Sequence, residues 1–320
     1  MDIALAGDTM LGRLVAERLH EVGPRRLVAP EVRDIVAEAD LFVVNLECCV
    51  SERGQPWPQP GKPFFFRAPP RAAQTLAWLG VDCVTLANNH ALDFGYQALR
   101  DTRWHLADAG VRTVGAGPDR DAARAAVVLT GGGLRLAVLG VTDHPNDYAA
   151  GRTRPGVAYA DLRAGVPGWL ADEIAALRQH ADAVLVTPHW GPNLITEPLP
   201  YVRRAAKALV DAGATLVAGH SAHVFHGVAG PVLYDLGDFI DDYAVDPVLH
   251  NDLGLLWLVT LDAGGPRRLR AVPLALDTAY TRLATGPEYD WVAYRLTAAC
   301  AELGTEVVNE GDHLSVTWRT

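Results

Sequence analysis

Lysine is almost missing: Lys62 and Lys207 are the two in 320 residues, and arginine supplies the rest of the positive charge. Basic side chains number 28 against 38 acidic ones, a net charge of −10, and they form no basic run. A nucleic-acid surface needs a clustered cationic face, so DNA or RNA binding is not expected. Cysteine is scarce as well. Cys48, Cys49, Cys83 and Cys300 show no C-x-x-C or zinc-knuckle spacing, which argues against a disulfide scaffold and a thiolate metal site. No stretch reaches the roughly 18 uncharged apolar residues of a spanning helix. Met1–Asp8 offers neither a basic leader nor an apolar core of signal-peptide length. The sequence therefore predicts a soluble, cytoplasmic protein without a membrane partner, and leaves its oligomeric state open. Repeats and low-complexity segments are absent too, and an apolar content of 49% excludes disorder.

What is present is an alternation of short apolar runs with helical patterns. Strands are expected at Ile3–Ala6, Leu41–Leu46, Val81–Ala87, Val111–Val114, Ala183–Thr187 and Thr215–Ala218. Ala126–Thr130 and Leu134–Val141, joined by three glycines, read as a hairpin. Helices are expected at Leu11–Val22, Tyr96–Ala109, Trp169–His180, Tyr201–Ala212 and Tyr289–Leu303. Val232–Leu236, Leu255–Leu261 and Leu269–Leu274 suggest antiparallel strands. This order implies an α/β sandwich with mixed sheets. Gln55–Pro70 and Gly151–Pro167 read as long ordered loops rather than linkers, the first a lid or substrate wall. One domain over 1–320 is expected, its strand-rich part 230–320 completing the sandwich.

Metal-competent residues collect just past the predicted strands. Asp8 follows the first, Asn45 and Glu47 the second, and Asn88, Asn89, His90 and Asp93 the third. His189 follows Ala183–Thr187, and His220 and His223 follow Thr215–Ala218. Open α/β sheets bind ligands at that edge. Three histidines, two carboxylates and an asparagine make an N/O shell suited to one or two divalent ions, with Mn, Zn, Fe, Co and Ca not distinguished. Singly, each residue has an ordinary structural role open to it: Asp8 as a helix cap, Asn88–His90 as turn chemistry, His189 as a half-buried imidazole.

The segments Gly7–Arg13 (GDTMLGR), Asn45–Glu47 (NLE), Leu86–Gly95 (LANNHALDFG), Pro188–Gly191 (PHWG) and Gly219–Val224 (GHSAHV) resemble the successive motifs of the CapA, or poly-γ-glutamate-biosynthesis, family. That family is a branch of the calcineurin-like metallophosphoesterases. The resemblance runs from residue 3 to about residue 240. It implies a four-layer αββα sandwich and a two-metal site. By motif, Asp8 and His223 would bind the first metal, and Glu47, standing where an aspartate is usual, would bridge both. Asn89, His189 and His220 would bind the second, and His90 would face the substrate as acid/base or charge stabiliser. Three positions depart from the pattern: Met10 stands where the first motif usually has histidine, Ser221 replaces an imidazole, and Asp238 stands where asparagine is common.

Two catalytic readings and one binding reading follow. The resemblance extends to peptide epimerases of ribosomal (lasso) peptide pathways, which implies cofactor-independent inversion at Cα of a peptide's C-terminal residue. There His90 would be one acid/base, with Asp93, Cys48 and His226 as candidate partners. Trp57, Phe64, Phe65 and Phe66 would hold an apolar peptide end, or simply anchor their loop. The alternative is hydrolysis of a phosphomonoester or diester, for which Arg13 and Arg67 are the nearest cations in sequence. The third is a non-catalytic metal-binding module. His226 and Asp143-His144 also follow strands and are candidates for the pocket.

Overall fold

The computed structural model describes residues 1–58, 60–262 and 264–318, so Gln59 of the long loop lies outside it. Two sheets stack face to face. The first runs, in spatial order, Val308–Asn309, Leu314–Thr317, Gly265–Asp277, Leu253–Asp262, Asp2–Thr9, Leu41–Leu46, Cys83–Thr85 and Arg112–Val114. Asp238–Ile240 adds to the end of Asp2–Thr9. The second runs Val228–Ala229, Val232–Leu233, Leu216–Ala218, Ala183–His189, Leu134–Thr142 and Val127–Gly131.

Period-two alternation divides each strand between two cores. Ile3 and Leu5 face the second sheet, alongside Leu185 and Leu216. Ala4 and Ala6 face outward onto Val15, Leu19, Val32 and Leu76 of the helices Arg13–Val22, Pro30–Val36 and Ala72–Leu79. On the far side, Val184 and Val186 pack with Ile174 and Leu209 of Gly168–Leu177 and Pro200–Asp211. The result is the four-layer αββα sandwich. Pro287–Ala301 sends Val292, Leu296 and Cys300 into the inter-sheet core.

Strand order places the chemistry. Asp2–Thr9, Leu41–Leu46 and Cys83–Thr85 are mutually parallel, as are Leu134–Thr142, Ala183–His189 and Leu216–Ala218. Their carboxyl ends therefore open at common sheet edges, where loops carry the polar residues. Gly7 makes this edge compact: a Cβ there would sit 1.7 Å from the Gly237 carbonyl oxygen, which accepts the Asp8 N–H at 2.8 Å.

Three expectations need correcting. Val232–Leu236 shortens to the two-residue strand Val232–Leu233, antiparallel to Val228–Ala229 on one side but parallel to Leu216–Ala218 on the other, so it joins the second sheet rather than the C-terminal hairpin. Val81–Ala87 contracts to Cys83–Thr85, since Leu86–Asn88 already turn toward the site. Pro30–Val36 and Ala72–Leu79 are helices that periodicity did not mark, one too short and the other apolar over most of its surface.

Candidate metal centre

Strand register fixes the floor of the site. Asp8 lies opposite Asn45 on one side and Asp238 on the other. Asn45 Nδ2 donates to Asp8 Oδ1 at 2.6 Å, and Asn45 Oδ1 accepts from Asn88 Nδ2 at 2.9 Å. Asn88 also donates to the Leu46 carbonyl and accepts the His90 N–H. This amide ladder links the first three strand ends, so the loops carrying Asp8, Glu47 and His90 share one frame.

The histidines arrive from the second sheet. His189 and His220 form a parallel bridge. Ser221 and His223 then take positive φ values of 116° and 59°, which non-glycine residues adopt at a cost of order 1–3 kcal/mol. Asp235 holds that turn by accepting the N–H groups of Ala222 and Gly237, each at 2.9 Å. Ser221 Oγ donates to the Gly191 carbonyl at 3.0 Å. The turn aims His223 Nδ1 at three carboxylates: Asp238 at 2.9 Å, Asp8 at 3.3 Å and Glu47 at 3.9 Å. His220 Nδ1 lies 3.6 Å from Asp8 Oδ1, and His189 Nε2 lies 3.8 Å from Glu47 Oε1.

Asp8, Glu47 and His223 offer ligand atoms within 4.8 Å of one another. Asp8 Oδ2, Glu47 Oε1, Asn89 Oδ1, His220 Nδ1, Asp238 Oδ2 and Asp241 Oδ2 are all buried without a hydrogen-bond partner. Orphaned acceptors on this scale are expensive in an ordinary core. They fit a divalent cation, whose bonds would satisfy them. The electrostatics agree. Burial pushes the Asp8 carboxyl up to about 7 and Glu47 and Asp238 well above the carboxylate range. Burial pulls His220 down to about 3 and His189 well below the imidazole range. Burial lowers His223 too, but Asp238, Glu47 and Asp8 outweigh it and hold that imidazole above its usual value.

A cleft of about 250 Å³ opens over this floor, bounded by Arg13, Phe64, Phe66, His90, His223 and Tyr243. His90 Nδ1 meets Asp93 Oδ2 at 2.6 Å, and its ring stacks on Phe66 with centroids 4.1 Å apart. Asp93 is fully engaged: Oδ2 also accepts the Phe66 N–H at 2.6 Å, while Oδ1 takes the Tyr148 hydroxyl at 3.2 Å and Lys62 Nζ at 3.0 Å. Asp93 therefore positions His90 and the loop, and has no oxygen free for substrate. Phe66 and Lys62 make Gln55–Pro70 a wall of the cleft; Lys62 Nζ also donates to the Asn89 carbonyl.

The other candidates fall away from the cleft. The Cys48 thiol is fully buried, accepts the Leu11 N–H, and is pushed up to about 12 by burial. His226 Nε2 donates to the Ile195 carbonyl. His144 reaches the periphery, its ring 5.2 Å from that of His189, and is held by Asp143 at 2.5 Å. Arg67 stacks on Phe94. Sequence reasoning missed Tyr243, whose hydroxyl donates to Glu47 Oε2 at 3.2 Å, and the structural part of Asp235. Tyr243 follows no apolar run long enough to mark a strand end, and Asp235 was hidden inside the expected strand Val232–Leu236, which stops at Leu233.

Residues 2–243 match the family described as bacterial capsule synthesis protein PGA_cap. A probable polyglutamine synthesis accessory protein of Mycobacterium tuberculosis is 30% identical over 98% of this chain and 94% of its own length. The PGA biosynthesis protein CapA of Bacillus subtilis is 31% identical over 76% of this chain and 63% of its own length. Among solved structures, the NAD nucleotidase of Haemophilus influenzae aligns over 91% of this chain and 54% of its own, at 11% identity and TM-score 0.45. The family match over residues 2–243 and the sequence relatives lead to one assignment: the chain belongs to the PGA_cap family of bacterial capsule synthesis proteins, the CapA-like proteins.

Proposed function

We propose that the chain is a metal-dependent enzyme acting on a peptide-type substrate, and that its reaction is inversion at the Cα of a C-terminal residue, as in the lasso-peptide epimerase branch. The observation that carries the metal dependence is the set of buried, partnerless acceptors converging on Asp8, Glu47 and His223. Asp8, Glu47 and His223 would hold one ion, and Glu47, Asn89, His189 and His220 a second. When bound, the metal would supply Lewis acidity to a carbonyl or carboxylate oxygen, acidifying the adjacent C–H.

The chain's own residues do the rest. Asp93 holds His90 Nδ1–H, leaving Nε2 as the base toward the cleft. Phe66 stacks on the imidazole and keeps water from its face. Phe64 and Tyr243 provide apolar surface for the side chain of the reacting residue. Solvent at the mouth would deliver a proton to the face of Cα opposite His90, and His90 would release the proton it took to solvent, so no net proton is consumed.

A peptide is favoured over a phosphoester by the state of the cations. Arg13 is paired with Asp242 at 2.8 Å, and Lys62 with Asp93. Among the described residues no unpaired lysine or arginine lines the cleft, so nothing beyond the metal would offset a phosphate's charge. Two relatives named for a glutamine polymer and for PGA point the same way. Phosphoester hydrolysis is the second reading, favoured by one fact: of the two acid/base groups among the described residues that line the cleft outside the ligand set, His90 and Tyr243, the Tyr243 hydroxyl is bound to Glu47, which leaves His90 alone to face substrate. The test is incubation of Mn²⁺-loaded protein in D₂O with peptides, beside a p-nitrophenyl phosphate assay. Deuterium at one Cα, lost with EDTA and in His90→Ala, is expected. Phosphate release without exchange would replace this reading by the second.

A further inference from the structure

Asp238 enters the centre on its own strand. Asp238–Ile240 pairs with Asp2–Thr9 so that Asp238 stands opposite Asp8. Its Oδ1 lies 2.9 Å from His223 Nδ1, closer than either Asp8 or Glu47. That contact is a hydrogen bond, which uses one of the two carboxylate oxygens. The second oxygen, Oδ2, is fully buried and has no partner. A carboxylate kept merely to orient His223 needs one oxygen, and the other would sit desolvated for nothing. No arginine or lysine among the described residues pairs with it, since Arg13 is taken by Asp242. Two residues beyond Asp8, Met10 turns its sulfur to the Gly12 N–H at 3.0 Å and leaves the centre without a side-chain ligand from that position.

We propose that Asp238 is a direct ligand of the ion held by Asp8, Glu47 and His223, the carboxylate that completes this shell. The inference rests on the metal-dependent reading above. The centre then carries three carboxylates and one imidazole at its first ion, an oxygen-rich set that suits hard cations such as Mn²⁺.

The test uses the full chain, stripped with EDTA and titrated with Mn²⁺ by calorimetry and with Co²⁺ by visible absorption. Asp238→Asn keeps an oxygen for His223 and almost the same volume. The expected result is a loss of Mn²⁺ affinity of a hundredfold or more at one site, beyond the roughly ten- to hundredfold that an outer hydrogen-bond partner is worth, with a shifted Co²⁺ spectrum. Wild-type affinity and spectrum in Asp238→Asn would reduce Asp238 to a positioning residue and overturn the proposal. If circular dichroism shows that variant unfolded, Asp238→Glu is titrated instead, and an unchanged Co²⁺ spectrum there overturns it equally. A wild-type chain that takes up neither ion would refute the metal-dependent reading itself, and the ligand assignment with it.

Discussion

His90 owes its direction to contacts it does not make with substrate. The Asn88 carboxamide fixes its backbone, Asp93 its Nδ1 and Phe66 its ring plane. Asp93→Asn keeps the volume but removes the charge that stabilises a protonated imidazole, and it also leaves Lys62 without its ion-pair partner, so thermal unfolding is measured beside the kinetics. If His90 is the base, this variant lowers kcat by about 10²-fold with KM little changed, within the range that acid/base groups contribute. His90→Ala removes the remainder. Steady-state kinetics on the deuterium-exchange substrate separate the two parameters, and a rise in KM alone would assign His90 to binding. Asn45→Ala tests the amide ladder: it strips a hydrogen bond from buried Asp8 and another from Asn88, and thermal unfolding should register a loss of about 1–3 kcal/mol. At this scale the sequence was most informative where a polar residue ends an apolar run. Asp8, Glu47, His189 and His220 are legible for that reason. Tyr243 sits in irregular chain after a three-residue strand, where no periodicity marks a site.

Gln55–Pro70 shows how an element acquires a task from a few anchors. Lys62, with a side chain only 8% exposed, ties the loop to Asp93 and to the Asn89 carbonyl. Trp57 packs edge-on against Tyr96 and Tyr148, and its indole N–H donates to Asp147 at 2.8 Å. Breaking a buried ion pair from one side costs about 3–5 kcal/mol, here partly offset because Asp93 keeps three other donors. Lys62→Ala should therefore leave the sandwich folded but expose the loop, with limited proteolysis cutting between residues 55 and 66 well before the wild type. Equal cutting rates would mean that Phe66 and Trp57 hold the loop without Lys62. Phe66→Ala, which removes a buried ring, should cost about 3–5 kcal/mol and open the cleft beside His90. In sequence the loop was visible as an aromatic, proline-rich stretch, but Lys62 among prolines and glycines reads as a solvated charge. Its burial depends on Asp93, which is 31 residues away.

At the scale of the molecule, the sandwich places six parallel strand ends at common edges and gathers buried, unpartnered acceptors there, a set that fits a cation. An α/β sandwich was legible in the apolar strands and the longer helices, whereas the four-layer order was implied by the family resemblance and the flanking helices Pro30–Val36 and Ala72–Leu79 carried no period to read. What sequence could not show is which strands pair across long separations. Asp238–Ile240 beside Asp2–Thr9 joins residues more than 200 apart, so Asp238 reads in sequence as a carboxylate without a partner. No helix of the described residues is long and apolar enough to cross a membrane. A metal that binds the native centre and not the unfolded chain stabilises by about 2.7 kcal/mol at a hundred times its Kd. Mn²⁺ at that level should raise the midpoint of thermal unfolding by roughly 4 °C, and EDTA should reverse the shift.

The most direct test of the central claim counts metal. Wild-type protein and Glu47→Gln are stripped with EDTA, reloaded with Mn²⁺, passed through a desalting column and measured by elemental mass spectrometry. A metal centre built on Asp8, Glu47 and His223 predicts at least one retained ion per wild-type chain and a marked deficit in the variant. No retained ion in the wild type, or equal retention in both, would contradict it.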